Sequence, residues 1–293
     1  MQRVTFINQN GKKAVFGLTP PYILESVRGT GMLDAQLMLS DSVGYDGKSY
    51  QGSYIEDREV TVSIHIKGNT REDMYKKRME LMAILGLSHQ ANGEMGRLEY
   101  TNDYGTWWIR AVVRIGVQPQ KRVANYNTSI SLVFDAPVPY WNDMQPFGDR
   151  MAYLDGGLEF PLEIDVNNRV QFGLQGYQTT ITNAGDAPAP VEIHITGPGT
   201  TPSIYKLNTD EFIKVNKSID TGDELVIKTG YGNERRVTIN RANGTSESAF
   251  GYLDLNSTFF LLDVGENRLE YRSGDDTKTA KIEITGYSQY GGV

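Results

Sequence analysis

The sequence predicts a mainly β protein with two domains and a single helix, which lies in the first domain. Short segments with alternating apolar and polar residues recur along the chain, and turns rich in Gly, Asn and Asp separate them. Only one segment has helical periodicity. The length of 293 residues fits two domains. We place the boundary between 1–145 and 146–293, because the segment 135–143 (DAPVPYWND) ends one run of strands and precedes another.

The first domain is predicted to be a β-rich α+β domain with a projecting hairpin. Its clearest strand covers 58–67, where four β-branched residues alternate with mostly polar ones. A turn-rich segment separates two more strands at 35–39 and 51–55, which predicts a long hairpin or arm over 35–55. The remaining predicted strands cover 4–8, 13–15, 20–27, 96–100, 106–117 and 128–134.

The helix is predicted over residues 71–85. Thr70 can cap its N-terminus, and Gly86 follows its last turn. Arg71 and Arg78 fall on the side that carries the apolar residues of this helix. Two interpretations remain open. Either their aliphatic stems pack on the protein while the guanidinium groups reach solvent, or the guanidinium groups pair with a carboxylate of a neighbouring subunit.

The strand at 106–117 carries two adjacent tryptophans, of which only one can face the core. Trp107 begins the apolar face, whereas Trp108 shares the other face with arginines. That face is unusual for a monomer. Three interpretations of this face remain open. A second sheet or the helix covers it, it forms a subunit interface, or it binds a glycan by stacking. The candidate interface residues of the chain are therefore Arg71, Arg78, Trp108, Arg110 and Arg114.

The second domain has no helical pattern and many short strands separated by turns, which predicts a β-sandwich. The final segment, 286–293 (GYSQYGGV), is rich in glycine and is predicted to fray. The predicted strands of this domain cover 191–195, 225–227, 237–239, 258–261, 269–271 and 280–285.

Composition argues against several classes of function. A net charge of −7 argues against binding to duplex DNA and to anionic membrane surfaces. No apolar run is long enough to span a bilayer, and the N-terminus does not resemble a secretory signal. The chain has no cysteine, which excludes disulfides, thiol catalysis and Cys-ligated zinc. We therefore expect synthesis in a reducing compartment and no membrane contact.

No catalytic or metal-binding arrangement is recognisable in the sequence. His65, His89 and His194 lack the second ligand at i+3 or i+4 that a metal-binding face requires. There is neither a Gly-x-Ser-x-Gly nucleophile motif nor a phosphate loop with its lysine. We therefore expect no catalytic residues, no cofactor, no metal and no enzymatic activity.

A series of short motifs runs along almost the whole chain in a specific order and spacing. In the first half these are FIN at 6–8, PYIL at 21–24, REV at 58–60, GRLEY at 96–100 and PYW at 139–141. In the second half they are PVEIHITG at 190–197, IDTGD at 219–223 and DLNSTFFL at 254–261. The series resembles the distal tail (Dit) protein family of siphoviruses, the phages with long non-contractile tails.

The resemblance implies a β-rich N-terminal domain with one helix and a hairpin arm, and a galectin-like C-terminal β-sandwich. It also implies a homo-hexameric ring that joins the tail tube protein to the tail-tip hub, tail-associated lysin or spike protein. DNA would pass through this ring without specific binding. The protein would reside at the tail tip of a phage or prophage virion, after assembly in the host cytoplasm.

Two other functions are considered beside the structural ring. In the first, the protein is a carbohydrate-binding module whose C-terminal domain makes weak contact with glycans on the host cell surface. In the second, it is a carbohydrate-active enzyme. A galectin-like fold does not by itself confer sugar binding, because binding depends on the residues of the site.

Overall fold

The computed structural model describes residues 2–41, 44, 46–86, 93–118, 121–123, 126–155, 175–274 and 280–293. As predicted, the protein is mainly β, and the described residues contain one α-helix. The chain divides into two compact units. The first unit comprises Met1–Met144 together with Tyr290–Val293, and the second comprises Gln145–Gln289.

The first unit is built on an antiparallel sheet with a single helix. Its elements are β1 (Arg3–Ile7), β2 (Lys13–Phe16), β3 (Tyr22–Arg28), β4 (Gln36–Asp41), β5 (Lys48–Tyr54), β6 (Arg58–Lys67), α1 (Arg71–Ile84), β7 (Gly96–Thr101), β8 (Thr106–Ile115), β9 (Lys121–Val123), β10 (Tyr126–Ala136) and β11 (Trp141–Asp143). The main strand order is β2-β1-β7-β8-β10-β6-β3. Strand β9 pairs with β10, and β11 pairs with β8.

The alternating residues of β6 and β8 form the centre of the first core. Val60, Val62, Ile64 and Ile66 are buried on β6, and Trp107 begins the buried face of β8 as predicted. The helix α1 packs against the same core and ends one residue before the predicted position.

The N-terminus of α1 is capped by Thr70, as predicted. The hydroxyl oxygen of this residue accepts a hydrogen bond of 3.1 Å from the backbone N–H of Asp73. Met74 and Leu81 are the fully buried side chains of the helix, and they attach it to the core. These two residues are seven positions apart and therefore lie on the same side of the helix.

Strands β4 and β5 form a separate two-stranded antiparallel sheet, which confirms the predicted hairpin. We call the two strands the arm. Every residue of β4 is exposed, and on β5 only Gly52 is partly buried. An isolated two-stranded hairpin is at best marginally stable in water. The arm therefore has the features of an element that is stabilised by contact with another protein surface.

The prediction that the end of the chain frays is wrong for its last residues. The backbone N–H of Val293 donates a 2.9 Å hydrogen bond to the carbonyl oxygen of Thr30, and the carbonyl oxygen of Gly291 accepts one of 2.6 Å from Arg58. The glycines that suggested disorder are needed because the backbone segments pack closely. A Cβ atom on Gly292 would lie 2.7 Å from the backbone nitrogen of Met32.

The second unit contains two sheets that share one core. Its strands are β12 (Phe147–Asp155), β13 (Gln175–Asn183), β14 (Val191–Thr196), β15 (Ser203–Lys206), β16 (Glu211–Lys214), β17 (Glu224–Lys228), β18 (Arg236–Asn240), β19 (Ser246–Ser248), β20 (Gly265–Arg272) and β21 (Lys281–Gly286). The next strand in the chain, the two-residue β22 (Gln289–Tyr290), pairs with β11 and does not belong to this series. The order is β16-β15-β20-β13-β12-β21-β14-β17-β18-β19.

Strand β12 connects the two sheets, because its first part pairs with β21 and its last part with β13. Ile193, Leu225 and Ile282 from one sheet share a buried cluster with Ile204 and Leu269 from the other. This arrangement is a β-sandwich, in which both inner faces contribute to one apolar layer.

The predicted strand at 258–261 is absent. The backbone N–H of Phe260 donates a 2.8 Å hydrogen bond to the carbonyl oxygen of Thr258, two residues earlier, so this segment turns locally. Phe260 and Leu262 are nevertheless buried. The apolar residues of this segment are buried in an irregular connection. Their spacing in the sequence did not distinguish this connection from a strand.

Candidate assembly surfaces

The outer face of β8 holds three of the candidate interface residues. Trp108 is partly buried, and its indole Nε1–H donates a 2.8 Å hydrogen bond to the carbonyl oxygen of Asp143. The guanidinium carbon of Arg97 lies 4.6 Å from the centre of the Trp108 ring system. A side chain of the neighbouring strand β7 and the backbone of β11 thus cover this tryptophan, in place of a second sheet or the helix.

Arg110 and Arg114 extend the same face. Arg110 is exposed and lies opposite Arg97 in the pairing of β7 with β8. Arg114 pairs with Glu59 and, at 3.0 Å, with Asp135. The structure therefore brings Trp108, Arg110 and Arg114 together on one face, and it gives Arg114 carboxylate partners within its own chain.

Asp135 sits in an unusual electrostatic setting beside Arg114. Desolvation raises the pKa of its carboxyl group, and the Arg114 guanidinium acts in the opposite direction. The neighbouring carboxylates of Asp57 and Glu59 raise that pKa further. Carboxylates gathered around one arginine keep this end of the face acidic.

The helix arginines lie around a tyrosine. The guanidinium carbon of Arg78 is 4.7 Å from the centre of the Tyr75 ring, and that of Arg71 is 5.9 Å from it. Both contacts have the geometry of a cation–π interaction. Both guanidinium groups thus lie over a side chain of their own helix. The helix candidates belong to a different element from the face on β8.

The arm exposes large apolar side chains that the five candidate residues did not include. Leu37 is 59% exposed and Leu39 is 48% exposed on β4, while Tyr50 is 63% exposed on β5. The hairpin was recognisable from its turns, but no sequence pattern indicated that both of its faces would be exposed. Ordered, exposed apolar residues on a projecting element are typical of a protein–protein contact.

Arg58 is a buried residue of structural importance that sequence reasoning missed. It has no exposed surface, and its guanidinium group donates to main-chain carbonyl oxygens of three separate segments. The acceptors are Pro139 at 2.6 Å, Gly29 at 2.6 Å, Gly31 at 2.8 Å and Gly291 at 2.6 Å. Burial lowers the pKa of this group to about 10. The only available signal was a basic residue at a core-facing position of the clearest strand.

The second unit contains a cluster of polar side chains around His194. The Nδ1 atom of this residue lies 2.9 Å from Glu224, and Nε2 lies 3.1 Å from Glu192. The hydrogen bond with His194 holds the pKa of Glu224 below its usual range, and a hydrogen bond from Asn240 acts in the same direction. Sequence reasoning considered only ligands at i+3 or i+4 of His194 and missed Glu224, because Glu224 comes from the neighbouring strand β17.

Lys206 is almost completely buried in the second unit. Its ammonium group donates to the carbonyl oxygen of Leu261 at 2.9 Å and to the Asp263 carboxylate at 2.6 Å. A buried ammonium needs such partners, because its desolvation is costly. This lysine therefore fixes the irregular segment that precedes β20.

Among the residues that the structure describes, no three His, Cys, Asp or Glu side chains are placed so that they could hold a metal ion. In the same part of the chain, no helix is long and apolar enough to cross a membrane.

Two family models match the chain. The C-terminal domain of the siphovirus-type tail component family matches residues 184–287, and the phage tail protein RIFT-related domain matches residues 9–92. Together they span well over half of the sequence, in the order of the two units. No curated protein sequence matches the chain.

Solved structures with the same fold come from phage tails. The Dit protein of phage SPP1, described as a paradigm of the hub adsorption apparatus in phages that infect Gram-positive bacteria, aligns with a TM-score of 0.67 at 14% identity and covers 98% of both chains. A chain of the phage p2 baseplate in its activated conformation with Sr aligns with a TM-score of 0.57 at 14% identity, over 97% of this chain and 98% of that one. The corresponding Ca structure gives 0.56 at 13% identity, over 97% of each chain.

These structures share the fold over nearly the whole length, and the two family models identify its two halves independently of that fold. The expected resemblance is confirmed. The chain therefore belongs to the distal tail (Dit) family of siphoviruses, which supplies structural components of the phage tail and baseplate.

Proposed function

We propose that six copies of this protein close into a ring that joins the tail tube to the tail-tip hub. In this role the protein is an adaptor that makes and breaks no covalent bond. The single observation that carries the proposal is the arm, an ordered hairpin with exposed apolar residues on a chain of the distal tail family. A closed ring gives every copy the same neighbours and leaves no arm without a partner.

The arm is expected to contact an adjacent copy. Leu37, Leu39 and Tyr50 are at least 48% exposed, so an adjacent subunit could bury substantial apolar area on this one element. The outer face of β8, with Trp108, Arg110 and Arg114, is the second expected contact. Arg71 and Arg78 on α1 remain interface candidates of lower rank, because they already pack on Tyr75.

The charge of the chain fits a conduit for DNA. With a net charge of −7, six copies would repel the phosphate backbone, so DNA could pass through the ring without being held. The proposed partners are the tail tube protein on one side and the hub, lysin or spike protein on the other. The proposed location is the virion tail tip, after assembly in the host cytoplasm.

Native mass spectrometry of the purified protein, alone and mixed with its tail tube and hub proteins, tests this proposal. The expected result is a species of six chains, either in the protein alone or in the mixture. A chain that stays monomeric in every mixture, or that forms open polymers of no fixed number, contradicts the ring. A gel-shift assay with duplex DNA should show no retention at physiological salt.

A second candidate function is contact with host glycans through the second unit. Phe250 is 49% exposed and stacks on Phe259, with ring centres 5.7 Å apart, and such exposed rings can stack on sugars. A glycan array tests this function, with Phe250→Ala as the paired variant. Binding that is lost in the variant supports it, and an array without signal removes it.

A further inference from the structure

Arg58 contacts the parts of the first unit where the chain changes direction or leaves the unit. The chain passes into the second unit after Met144 and is back in the first at Tyr290. Two of the carbonyl groups that Arg58 binds, those of Pro139 and Gly291, lie close to these two crossings in the sequence. One side chain thus binds the backbone near both crossings in the sequence.

The other two carbonyl groups belong to the segment from which the arm begins. We call residues 29–35, which precede β4, the arm root. Gly29 has a φ of +85°, and a Cβ atom there would lie 2.0 Å from the carbonyl oxygen of Glu59. Arg58 binds the carbonyl oxygens of Gly29 and Gly31, so the start of the arm root is held in a close backbone contact.

The last residues of the chain pack on the same arm root. The Val293 N–H donates to the Thr30 carbonyl oxygen at 2.9 Å, and Gly292 fits against Gly31 and Met32 without room for a side chain. The arm root is therefore held from one side by Arg58 and from another by residues 290–293.

We propose that Arg58 is a positioning residue that sets the direction of the arm by tying the arm root to the two chain crossings. All four of its described hydrogen bonds go to backbone carbonyl oxygens, so its role is to hold the backbone. This inference rests on the proposed function, because the arm is the element that contacts the neighbouring copy.

An arginine suits this position for a geometric reason. Its planar guanidinium group offers five N–H donors in fixed directions, whereas a lysine offers three donors on one nitrogen atom. Arg58→Lys keeps the positive charge but cannot reach three segments at once. The lysine variant therefore separates the loss of geometry from the loss of charge.

Hydrogen exchange measured by mass spectrometry tests the proposal on the full chain. In Arg58→Lys and Arg58→Met, amides of peptides covering 28–41 and 287–293 should exchange about tenfold faster or more, because each lost charge-assisted hydrogen bond favours local opening by at least that factor. Peptides covering 175–274 should not change. Arg150→Met, which alters an exposed arginine of the second unit, is the matched control. Unchanged exchange at 28–41 in both Arg58 variants overturns the proposal.

A second variant keeps the test decisive if the Arg58 variants do not fold. Gly292→Val leaves Arg58 intact but places a side chain against the backbone of Met32, so it should also raise exchange at 28–41. Normal exchange in Gly292→Val also overturns the proposal. If the wild-type protein does not assemble, but hydrogen exchange at 28–41 still rises in these variants, the proposed ring is wrong and the positioning role of Arg58 stands.

Discussion

Removing apolar side chains from the arm is expected to weaken association between copies while each copy stays folded. Full burial of a leucine side chain contributes about 1.5–3 kcal/mol. Leu37 and Leu39 are 59% and 48% exposed, so only about half of each side chain remains to be buried by a neighbour. Leu37→Ser with Leu39→Ser should therefore cost about 1.5–3 kcal/mol per contact, which is roughly a 10- to 100-fold weaker association.

Sedimentation velocity over a range of protein concentrations measures this change as a shift of the concentration at half assembly. Leu18→Ser is the matched control, since Leu18 is 62% exposed in the same unit but lies outside the arm. Thermal unfolding should leave the double variant within a few degrees of wild type, because neither leucine belongs to a buried cluster. Equal effects of the arm and control variants, or wild-type assembly of the double variant, would refute the assignment of the arm as a contact.

Two further predictions concern the second unit. Asp263→Asn removes the nearer of the two carboxylates beside buried Lys206, at 2.6 Å compared with 3.7 Å for Glu211. It should lower the free energy of unfolding by about 1 kcal/mol in urea titrations, a small value because the Asp263 side chain is 58% exposed. An unchanged midpoint would contradict the role of this pair. The backbone N–H of Ala242 and the Arg241 guanidinium hold the pKa of Asp223 below its usual range. Asp223 therefore contributes stability above its unfolded-state pKa, and this stability is lost as pH falls through the lower folded-state pKa. Asp223→Asn should flatten the decline of stability as the pH falls below about 4. An identical slope in both proteins would show that this carboxylate is not responsible.

Local patterning predicted much of the first unit. The alternation of apolar and polar residues predicted β6 with its observed bounds. The helical periodicity and the Thr70 cap predicted α1 to within one residue. These elements have one face in a core, so burial imposes a clear period on their sequence. The turn-rich segment likewise predicted the arm hairpin.

The patterns failed where burial does not follow a simple period. Strands β13, β15 and β16 were not predicted, because they are short or rich in threonine and polar residues. The partners of Arg58 lie 27 to 233 residues away in the chain, and no local signal identifies such contacts. The interface candidates were chosen from isolated strand and helix patterns, so the exposed leucines of the arm escaped notice.

The return of the chain to the first unit has a consequence for biosynthesis. Residues 290–293 leave the ribosome after the whole second unit, yet they fill a place beside Thr30 and Arg58. The first unit therefore cannot finish its structure until residues 290–293 have been synthesised. A nascent chain that is released before that point presents a first unit in which Arg58 and Thr30 lack these partners.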